Sequence, residues 1–420
     1  MTRTSVPAVN WAGNVTFRAA RVHHPASVAQ LGQIVAGGRR VRALGTGHSF
    51  SRVADTTGDL VCLDRLPSTV DIDPAGRTVT LAAGISYAEL AGRLHRAGFA
   101  LASLASLPHI SVAGSVATGT HGSGDSQRCL SAAVRSLRLM GPDGAQVELH
   151  RGDPGFDGAV VALGALGVVT RLTLDIEPAF EVSQHVYLDV GLDEVAGRLD
   201  EVFGAGYSVS AFTDWRSGAA AVWVKQRPGH PGHPGHPGTG WRGRHPAPHP
   251  VHPVPGRPPE QCTGQLGVPG PWHERLPHFR PEHPAGAGQE LQSELYLPRG
   301  AAPAALAAVR ELGEEIAPVL YISELRTVAA DQLWLSPACG RDSVTFHFTW
   351  VRDTAAVLPV LARVESLLLP LGARPHWAKL TTAPLRQVLD GYQQGEAFGR
   401  LMRRLDPAGK FGNDFVGELF

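Results

Sequence analysis

The chain has 420 residues, with 38 basic and 38 acidic side chains and a formal net charge of zero. This length is sufficient for two or three domains with large buried cores. Because the balanced charge gives no long-range attraction to nucleic acid or to an anionic membrane surface, we expect the partner to be a small neutral or weakly charged molecule.

The cysteines and the N-terminus bear on the compartment. The four cysteines lie far apart and include no C-x-x-C pair, which indicates neither a zinc site nor a disulfide framework. The first residues contain no apolar segment typical of a signal peptide, and no uncharged apolar run of about 18 residues occurs in the chain. We therefore expect a soluble, cytoplasmic, monomeric protein with no bound metal and no membrane contact.

The N-terminal part is predicted to begin with a β-α-β unit. A short strand near residues 15–20 is followed by a helix from Ser27, which has capping-box spacing with Gln30, and by a strand at 40–44. This second strand stops at Gly45-Thr46-Gly47. Two glycines separated by one residue let neighbouring backbone N–H groups converge on an anion, so the loop is suited to a diphosphate.

The same loop carries His48, whose imidazole can act as a nucleophile. It is not the dinucleotide fingerprint of a Rossmann unit, because Phe50 stands at the place of the third glycine. On local grounds the alternative is a surface turn with an incidental histidine. A second glycine-rich loop would favour the phosphate site.

Residues 103–124 supply that second loop. The segment is dominated by glycine, alanine, serine and threonine, so its backbone can approach a large flat ligand and its phosphates closely. A flexible linker is the alternative. The regular recurrence of Ile110, Val112 and Val116 argues against a linker.

Other elements complete a first domain. Strands are expected at 60–63, 68–72, 78–82, 134–140, 146–150 and 167–176. A helix is expected from Ser86, which has capping-box spacing with Glu89, to about Gly98. The sequence Gly141-Pro142-Asp143-Gly144 is typical of the type I turn of a hairpin.

Residues 227–259 have a different character, because Pro-Gly-His occurs three times and is followed by further His-Pro pairs. Such a composition is not expected to bury a core, so we predict a disordered or polyproline-like surface loop. The alternative is metal binding by His230, His233 and His236. In a polyproline II helix these side chains would be roughly 9 Å apart, which is too far for one ion.

The C-terminal half combines a helix near 301–317 with two alternating segments, 323–327 and 343–350. In the second segment one face is polar and carries Ser343, Thr345, His347 and Thr349, and the other face is apolar and carries Val344, Phe346, Phe348 and Trp350. A sheet with one side in solvent is the alternative. Such faces usually carry more lysine and glutamate than this one.

Five segments together resemble the vanillyl-alcohol-oxidase-type flavoproteins, and within them the alditol (xylitol or sorbitol) oxidases. They are 45–49 (Gly-Thr-Gly-His-Ser), 105–124, 324–326 (Glu-Leu-Arg), 347–349 (His-Phe-Thr) and 376–379 (His-Trp-Ala-Lys). The last segment is shared with the sugar-lactone oxidases of the same superfamily, such as the D-arabinono-1,4-lactone oxidases. The second and third favour an alditol oxidase. The likeness covers nearly the whole chain except the insert.

The resemblance implies an α+β fold with three parts. A two-lobed FAD-binding domain of the PCMH type would span residues 1–178. A cap or substrate domain with an antiparallel sheet would span 179–400 and contain the insert 227–259, and a tail at 401–420 would return to the FAD-binding domain.

The resemblance also implies FAD as the cofactor, attached covalently to His48 through its 8α-methyl group. Some relatives add a second, cysteinyl bond, but Leu107 stands nearest to that position, so one bond is expected. Ala105 stands where the family has a small residue near the flavin, which would leave room for oxygen. The cofactor-binding residues implied are Gly45, Thr46, Gly47, His48, Ser49, Ser106, Ser111, Gly114, Ser115, Ala117, Thr118, Gly119, His121, Gly122, Val168, Val169 and His376.

The substrate-binding residues implied are Ser106, Glu324, Arg326, Thr349 and Lys379, with His347 as a further catalytic residue. His347 is expected to be the general base, because an imidazole near neutrality can accept the proton of an alcohol. Arg326 and Lys379 would hold negative charge on the developing alkoxide or on the reduced flavin, with Glu324 orienting Arg326. A plain ion pair in the sheet is the alternative for Glu324 and Arg326.

The resulting hypothesis is an FAD-dependent oxidase that converts the terminal primary alcohol of an alditol to an aldose and reduces O2 to hydrogen peroxide. Two alternatives remain. One is a sugar-1,4-lactone oxidase or dehydrogenase on the same scaffold, and the other is a flavin-binding protein without turnover.

Overall fold

A computed structural model describes residues 9–229, 243–282 and 289–420. Within this part of the chain the strands form sheets of three, two, five and eight strands. We call the part formed by residues 9–178 the N-terminal lobe and the part built on the eight-stranded sheet the cap. The predicted α+β architecture with a large antiparallel cap sheet is confirmed.

Two sheets of the N-terminal lobe position the glycine-rich loops. The parallel sheet has β3 (Asp59–Cys62) between β1 (Arg21–His23) and β2 (Val41–Leu44), and α1 (Val28–Gly37) connects β1 to β2. The antiparallel sheet consists, in spatial order, of β4 (Val70–Asp73), β5 (Thr78–Ala82), β9 (Val168–Asp175), β7 (Val134–Met140) and β8 (Gln146–His150). The remaining elements are α2 (Tyr87–Arg96), α3 (Val112–Thr118), α4 (Phe156–Val160) and the paired strands β6 (Phe99–Ala100) and β10 (Glu177–Pro178).

The first two helices begin where the sequence predicts. The hydroxyl groups of Ser27 and Ser86 each accept a hydrogen bond from the backbone N–H three residues later, at 3.2 and 3.3 Å. The first strand lies at Arg21–His23, so its prediction at 15–20 is wrong. The guanidinium of Arg21 contacts the buried carboxylate of Asp59 at 2.6 Å, and this pairing with the neighbouring strand fixes the position of β1.

The cap is an eight-stranded antiparallel sheet covered on one face by helices. In spatial order its strands are β14 (Gly270–Pro271), β11 (Glu181–Gly191), β13 (Ala219–Gln226), β12 (Ser208–Thr213), β16 (Leu320–Val328), β17 (Ser343–Val351), β15 (Glu290–Pro298) and β18 (Arg374–Pro375). Its helices are α5 (Leu192–Gly197), α6 (Leu199–Phe203), α7 (Ala302–Glu311), α8 (Gly313–Ile316) and α9 (Thr354–Leu368). The chain ends with α10 (Leu385–Asp390), α11 (Gly395–Leu405) and α12 (Asp414–Gly417).

The alternation predicted for β17 is confirmed. Phe346, Phe348 and Trp350 are fully buried in the cap core, and the ring of Trp215 stacks on that of Phe346 at 6.1 Å. The opposite, polar face is also buried: Thr345 is 0% exposed and His347 only 7%. A solvent-facing sheet is therefore the wrong alternative, because the N-terminal lobe covers this face.

Part of the proline-rich insert packs on the cap. Residues 230–242, with the three histidines considered for metal binding, lie outside the described residues. In the part described, Ala247, Val251 and Val254 contact the cluster around Trp223. The expectation that the insert buries no core is wrong for these residues, because apolar side chains stand between its prolines.

The end of the chain packs against the N-terminal lobe. Arg42, which is buried, donates to the carbonyl oxygen of Phe411 at 2.7 Å, and Lys410 donates to that of Pro142 at 2.6 Å. Leu389 and Phe398 also belong to the main core cluster of this lobe. The chain thus contacts the N-terminal core before residue 401, and the exact division into domains stays a prediction.

Helix α9 forms the outer layer of the cap core. The stretch Thr354–Leu371 is long and apolar enough to cross a membrane by length and composition alone, with a mean hydropathy of 1.6. In the fold, however, Val357, Leu361, Val364 and Leu368 are fully buried in the cluster beneath the cap sheet. This burial gives the helix a packing role in the core.

Replacing Leu361 by alanine should therefore lower the free energy of unfolding by about 2–5 kcal/mol, because it leaves a cavity in a packed core. Urea unfolding followed by tryptophan fluorescence measures this loss. The matched control is Ala362→Ser, on the exposed side of the same turn, for which we expect a change within about 0.5 kcal/mol. Equal effects of the two substitutions would contradict the packing described for α9.

Candidate active site

The two glycine-rich loops meet at the end of β2. The backbone N–H of Ser111 donates to the hydroxyl of Thr46 at 3.2 Å. A Cβ atom at Gly45 would lie 2.3 Å from the hydroxyl oxygen of Ser111, so a larger residue would force the Ser111 side chain to move. The second loop thus meets the first, which favours the phosphate-site hypothesis over an incidental surface turn.

The loops and the polar face of the cap sheet enclose a cavity of about 720 Å³. Most of the predicted site residues line it: Gly45, Thr46, Gly47, His48, Ser49, Ser106, Ser111, Gly114, Ser115, Ala117, Thr118, His121, Val169, Glu324, Arg326, His347, Thr349, His376 and Lys379. Ala105 and Leu107 line it as well. A volume of this size is typical of a cofactor or ligand site.

Three of the predicted cofactor-binding residues do not line this cavity. Val168 alternates with Val169 along β9 and packs in a core cluster instead. Gly119 ends α3 with a φ of 72° and faces Pro337, and Gly122 lies against the backbone of Leu104. These three residues pack against other parts of the protein and do not line the cavity.

Strand register brings the polar residues of the cap together. In the antiparallel pairing, Glu294 lies opposite His347, and His347 lies opposite Glu324. Arg326 follows two positions along β16, so it faces the same side of the sheet. The array is therefore held by three neighbouring strands and depends little on loop conformation.

Glu294 is the centre of this array. Its carboxylate is 1% exposed and contacts Nε2 of His121 at 2.9 Å, a guanidinium nitrogen of Arg326 at 2.6 Å and Nδ1 of His347 at 3.5 Å. Burial raises its pKa, but Arg326 and His121 outweigh this, so the pKa of Glu294 lies well below the ordinary value. Glu294 is therefore ionised and links the N-terminal lobe to the cap.

Arg326 has two carboxylate neighbours in this geometry. Oε1 of Glu324, the residue expected to orient it, lies 3.6 Å from its Nε atom, and the Glu294 carboxylate lies 2.6 Å from the same guanidinium. Glu294 therefore shares with Glu324 the pairing that the sequence predicts for Glu324 alone. Glu324 also accepts a hydrogen bond from Nε2 of His278 at 2.8 Å, or shares a proton with it.

Glu294, Gln292 and His278 are among the cavity-wall residues that the sequence does not predict. In the segment 290–294, Glu-Leu-Gln-Ser-Glu, the acidic and amide residues recur at every second position, and this period could have indicated the first two. His278 lies in an irregular segment and has no comparable signal. Gln292 hydrogen-bonds to the ammonium group of Lys379 through its Oε1 atom.

The protonation states follow from burial. Burial lowers the pKa of His347 below the ordinary value, so its imidazole is neutral near pH 7. Burial likewise lowers the pKa of Lys379 to about 8, against the opposing effect of Glu294. At neutral pH the site thus offers a neutral imidazole beside a lysine that is close to its titration range.

A buried polar atom of the cavity wall has no hydrogen bond to the protein. Among the described residues, Nδ1 of His48 is buried, lines the cavity and makes none. Nδ1 of His347 and Nε of Arg326 also make none, but they lie 3.5 and 3.6 Å from the carboxylates of Glu294 and Glu324. Buried polar atoms in proteins nearly always have partners, so Nδ1 of His48 fits a group bound in the cavity.

His48 is held rigidly at the cavity wall. Its ring stacks on that of Trp11 at 5.2 Å with an angle of 22° between the planes. Burial lowers the pKa of His48 to about 4, so the imidazole is neutral at pH 7. A neutral imidazole has a lone pair on one of its two ring nitrogens. In the tautomer with the proton on Nε2, the lone pair that a nucleophile needs is on Nδ1.

The described part of the insert reaches the same cavity. His252, Pro253, Val254 and Arg257 line it, and the guanidinium of Arg257 lies 4.7 Å from the ring centre of Tyr321. No group of three or more histidine, cysteine, aspartate or glutamate side chains within the described ranges is arranged to hold a metal ion.

Comparison with known proteins agrees with this geometry. Residues 19–150 match the family described as FAD binding domain, and residues 289–419 match the family described as D-arabinono-1,4-lactone oxidase. An alditol oxidase of Streptomyces sp. (strain IKD472 / FERM P-14339) is 50% identical and covers 99% of both chains. An L-gulono-1,4-lactone dehydrogenase of Mycobacterium tuberculosis is 27% identical and covers 98% of both chains.

Solved structures show the likeness of fold. A cholesterol oxidase from B. sterolicum has a TM-score of 0.77 at 14% identity, covering 98% of this chain and 96% of the other. A solvent-stable cholesterol oxidase has a TM-score of 0.79 at 15% identity with the same coverage. Because an alditol oxidase shares half of its residues with this chain along nearly the full length of both, the chain belongs to the alditol oxidase family of FAD-binding proteins.

Proposed function

We propose that this protein is an FAD-dependent oxidase that converts the terminal primary alcohol of an alditol, such as xylitol or sorbitol, to an aldose and reduces O2 to hydrogen peroxide. The observation that carries the proposal is the mixture of acidic and basic groups in the cavity wall. The carboxyl groups of Glu290, Glu294 and Glu324 stand there together with Arg326 and Lys379. The array therefore favours an uncharged substrate with several hydroxyl groups over an ionic one.

The residues of the N-terminal lobe fit FAD. The loop at 45–49 offers backbone N–H groups where Gly45 allows the two loops to approach closely. A Cβ atom at Gly47, whose φ is 72°, would project into open space. When bound, FAD accepts the hydride of the alcohol carbon and passes the electrons to O2. We infer that His48 carries the covalent bond to the cofactor, since its Nδ1 atom is buried, unpartnered and on the cavity wall.

Binding of the polyol is assigned to donors and acceptors in fixed positions. Arg326 lies 3.4 Å from the hydroxyl of Ser106, which connects the second loop with the cap. Thr349 and Lys379 lie on the same wall of the cavity. A substrate that lacks one hydroxyl leaves one of these buried groups unpaired, so the array discriminates strongly among alcohols.

We assign to His347 the role of accepting the proton of the reacting hydroxyl group. Its neutral ring has one nitrogen 3.3 Å from the hydroxyl of Thr349 and the other directed to Glu294. When the ring takes up the proton, the carboxylate of Glu294 stabilises the resulting imidazolium. Arg326 and Lys379 stabilise the negative charge that develops on the alkoxide oxygen.

A second candidate function is oxidation of a sugar-1,4-lactone, because residues 289–419 match the family described as D-arabinono-1,4-lactone oxidase. Hydrogen peroxide production with xylitol, sorbitol and a γ-lactone separates the two functions. We expect peroxide in proportion to the alditol consumed and little from the lactone. Peroxide from the lactone alone would contradict the proposal. No peroxide from any substrate, together with no anaerobic bleaching of the flavin by any of them, would favour a flavin-binding protein without turnover.

Substitution of His48 by alanine should abolish the covalent bond. After acid precipitation the flavin absorbance is expected in the supernatant for His48→Ala and in the pellet for the native protein. The control is His150→Ala, since His150 is exposed on β8 and should leave the flavin in the pellet. Flavin that stays in the pellet of His48→Ala would place the attachment at another residue.

The titration of Lys379 should appear in the pH dependence. A lysine with its pKa lowered to about 8 is charged below that pH and neutral above it, so kcat/KM should fall as the pH rises through about 8. In Lys379→Arg the decline should move to higher pH, because arginine keeps its proton. Lys379→Ala should lower kcat by about 10²-fold while the visible spectrum stays nearly unchanged. An unaltered rate in Lys379→Ala would remove this residue from the reaction.

A further inference from the structure

A buried lysine and a buried histidine stand behind Glu324, and the reaction as described uses neither. Lys225 on β13 is 1% exposed, and His278, which follows β14 in the chain, is 3% exposed. Nζ of Lys225 lies 3.3 Å from Nδ1 of His278, and Nε2 of His278 lies 2.8 Å from Oε1 of Glu324. The three side chains form a continuous series of contacts from the cap interior to the cavity wall.

The carboxylate of Glu324 decides which nitrogen of His278 carries the proton. Its pKa lies well below the ordinary value, so it is ionised and can only accept; Nε2 of His278 therefore carries the proton and donates to it. Nδ1 is then an acceptor, and the protonated Lys225 can donate to it. Nζ of Lys225 also donates to the carbonyl oxygens of Leu276 and Pro277, while burial lowers the pKa of this lysine to about 7.

The ring of His278 is fixed in its plane by aromatic neighbours. Phe212 and Trp223 meet it edge to face, with ring centres at 5.3 and 5.4 Å. Burial, together with the charge of Lys225, lowers the pKa of His278 to about 4. A neutral ring with one defined tautomer and one orientation is thus built into the cap.

Glu324 is left with one oxygen for the substrate. Oε1 is occupied by His278, whereas no hydrogen bond to Oε2 is found among the described residues. Burial raises the pKa of Glu324, but Arg326 and His278 outweigh it, so the pKa lies well below the ordinary value. Oε2 can therefore accept a hydrogen bond from a hydroxyl group in the cavity.

We propose that His278 is a positioning residue: it holds Glu324 in the orientation in which Oε2 accepts a hydroxyl group of the polyol, and Lys225 keeps His278 in the tautomer that does so. The inference rests on the proposed function, because it names the support of one substrate-binding carboxylate. Lys225 does not line the cavity, whereas His278 lies in its wall and contacts Glu324. We assign the effect of both residues to the orientation of Glu324.

The test compares two replacements of His278 in the flavin-loaded protein. His278→Leu removes the donor to Glu324 and should raise KM for xylitol about tenfold or more, with a smaller change in kcat. His278→Gln should have a KM much closer to that of the native protein, because its amide can donate to Glu324 and accept from Lys225. If His278 had a purely structural role, His278→Leu and His278→Gln variants of equal thermal stability would have the same KM.

Substitution of Lys225 provides an independent test. Lys225→Met should also raise KM for xylitol, and the double variant Lys225→Met/His278→Leu should be no worse than His278→Leu, because the lysine acts only through the histidine. The matched control is His273→Leu, which replaces a half-buried histidine five positions earlier that does not line the cavity, and its KM should be unchanged. Thermal midpoints and flavin absorbance check that each variant is folded and loaded.

The outcomes distinguish this inference from the proposed function. A native protein without turnover on any alditol contradicts the proposed function itself. An active native protein in which His278→Leu is folded and has an unchanged KM contradicts the positioning role. If His278→Leu does not fold, the other two variants decide. A native KM in Lys225→Met overturns the inference. A raised KM in Lys225→Met, together with a near-native KM in His278→Gln, supports it.

Discussion

The buried carboxylate of Glu294 is the interaction on which the arrangement of the site depends. A desolvated carboxylate is costly unless it is paired, and here three different segments supply partners: His121 from the second glycine-rich loop, Arg326 from β16 and His347 from β17. The same contacts that stabilise Glu294 therefore join the N-terminal lobe to the cap. They also place a guanidinium and a neutral imidazole at one end of the cavity, where the proposed reaction needs them.

Local features of the sequence were sufficient for much of the fold. Capping serines predict the starts of α1 and α2, and the period of two predicts β17, because both depend on neighbouring residues. Tertiary contacts decided the rest. The place of β1 depends on pairing between Arg21 and Asp59, and the burial of the polar face of β17 depends on a lobe distant in sequence. Glu294 as partner of Arg326 likewise required the register of β15.

The fold itself does not select the substrate. Cholesterol oxidases have the same overall fold at 14% and 15% identity, so the chemistry of this family member must lie in the side chains of the cap sheet. There, carboxylates and cations lie side by side in the cavity wall and are already oriented before a ligand enters. Little free energy is spent on rearranging such an array when it binds an uncharged polyol. A charged ligand would leave one charged group of the array without a counter-charge.

The most direct test of this account is the visible absorption spectrum of the purified protein under anaerobic conditions, before and after addition of xylitol. We expect a yellow protein whose flavin absorbance is lost when xylitol is added and returns on admission of air, with formation of hydrogen peroxide. A yellow protein whose spectrum does not respond to xylitol or sorbitol would contradict the assignment of the site to alditols, and a colourless protein unable to take up FAD would contradict the assignment of the cofactor.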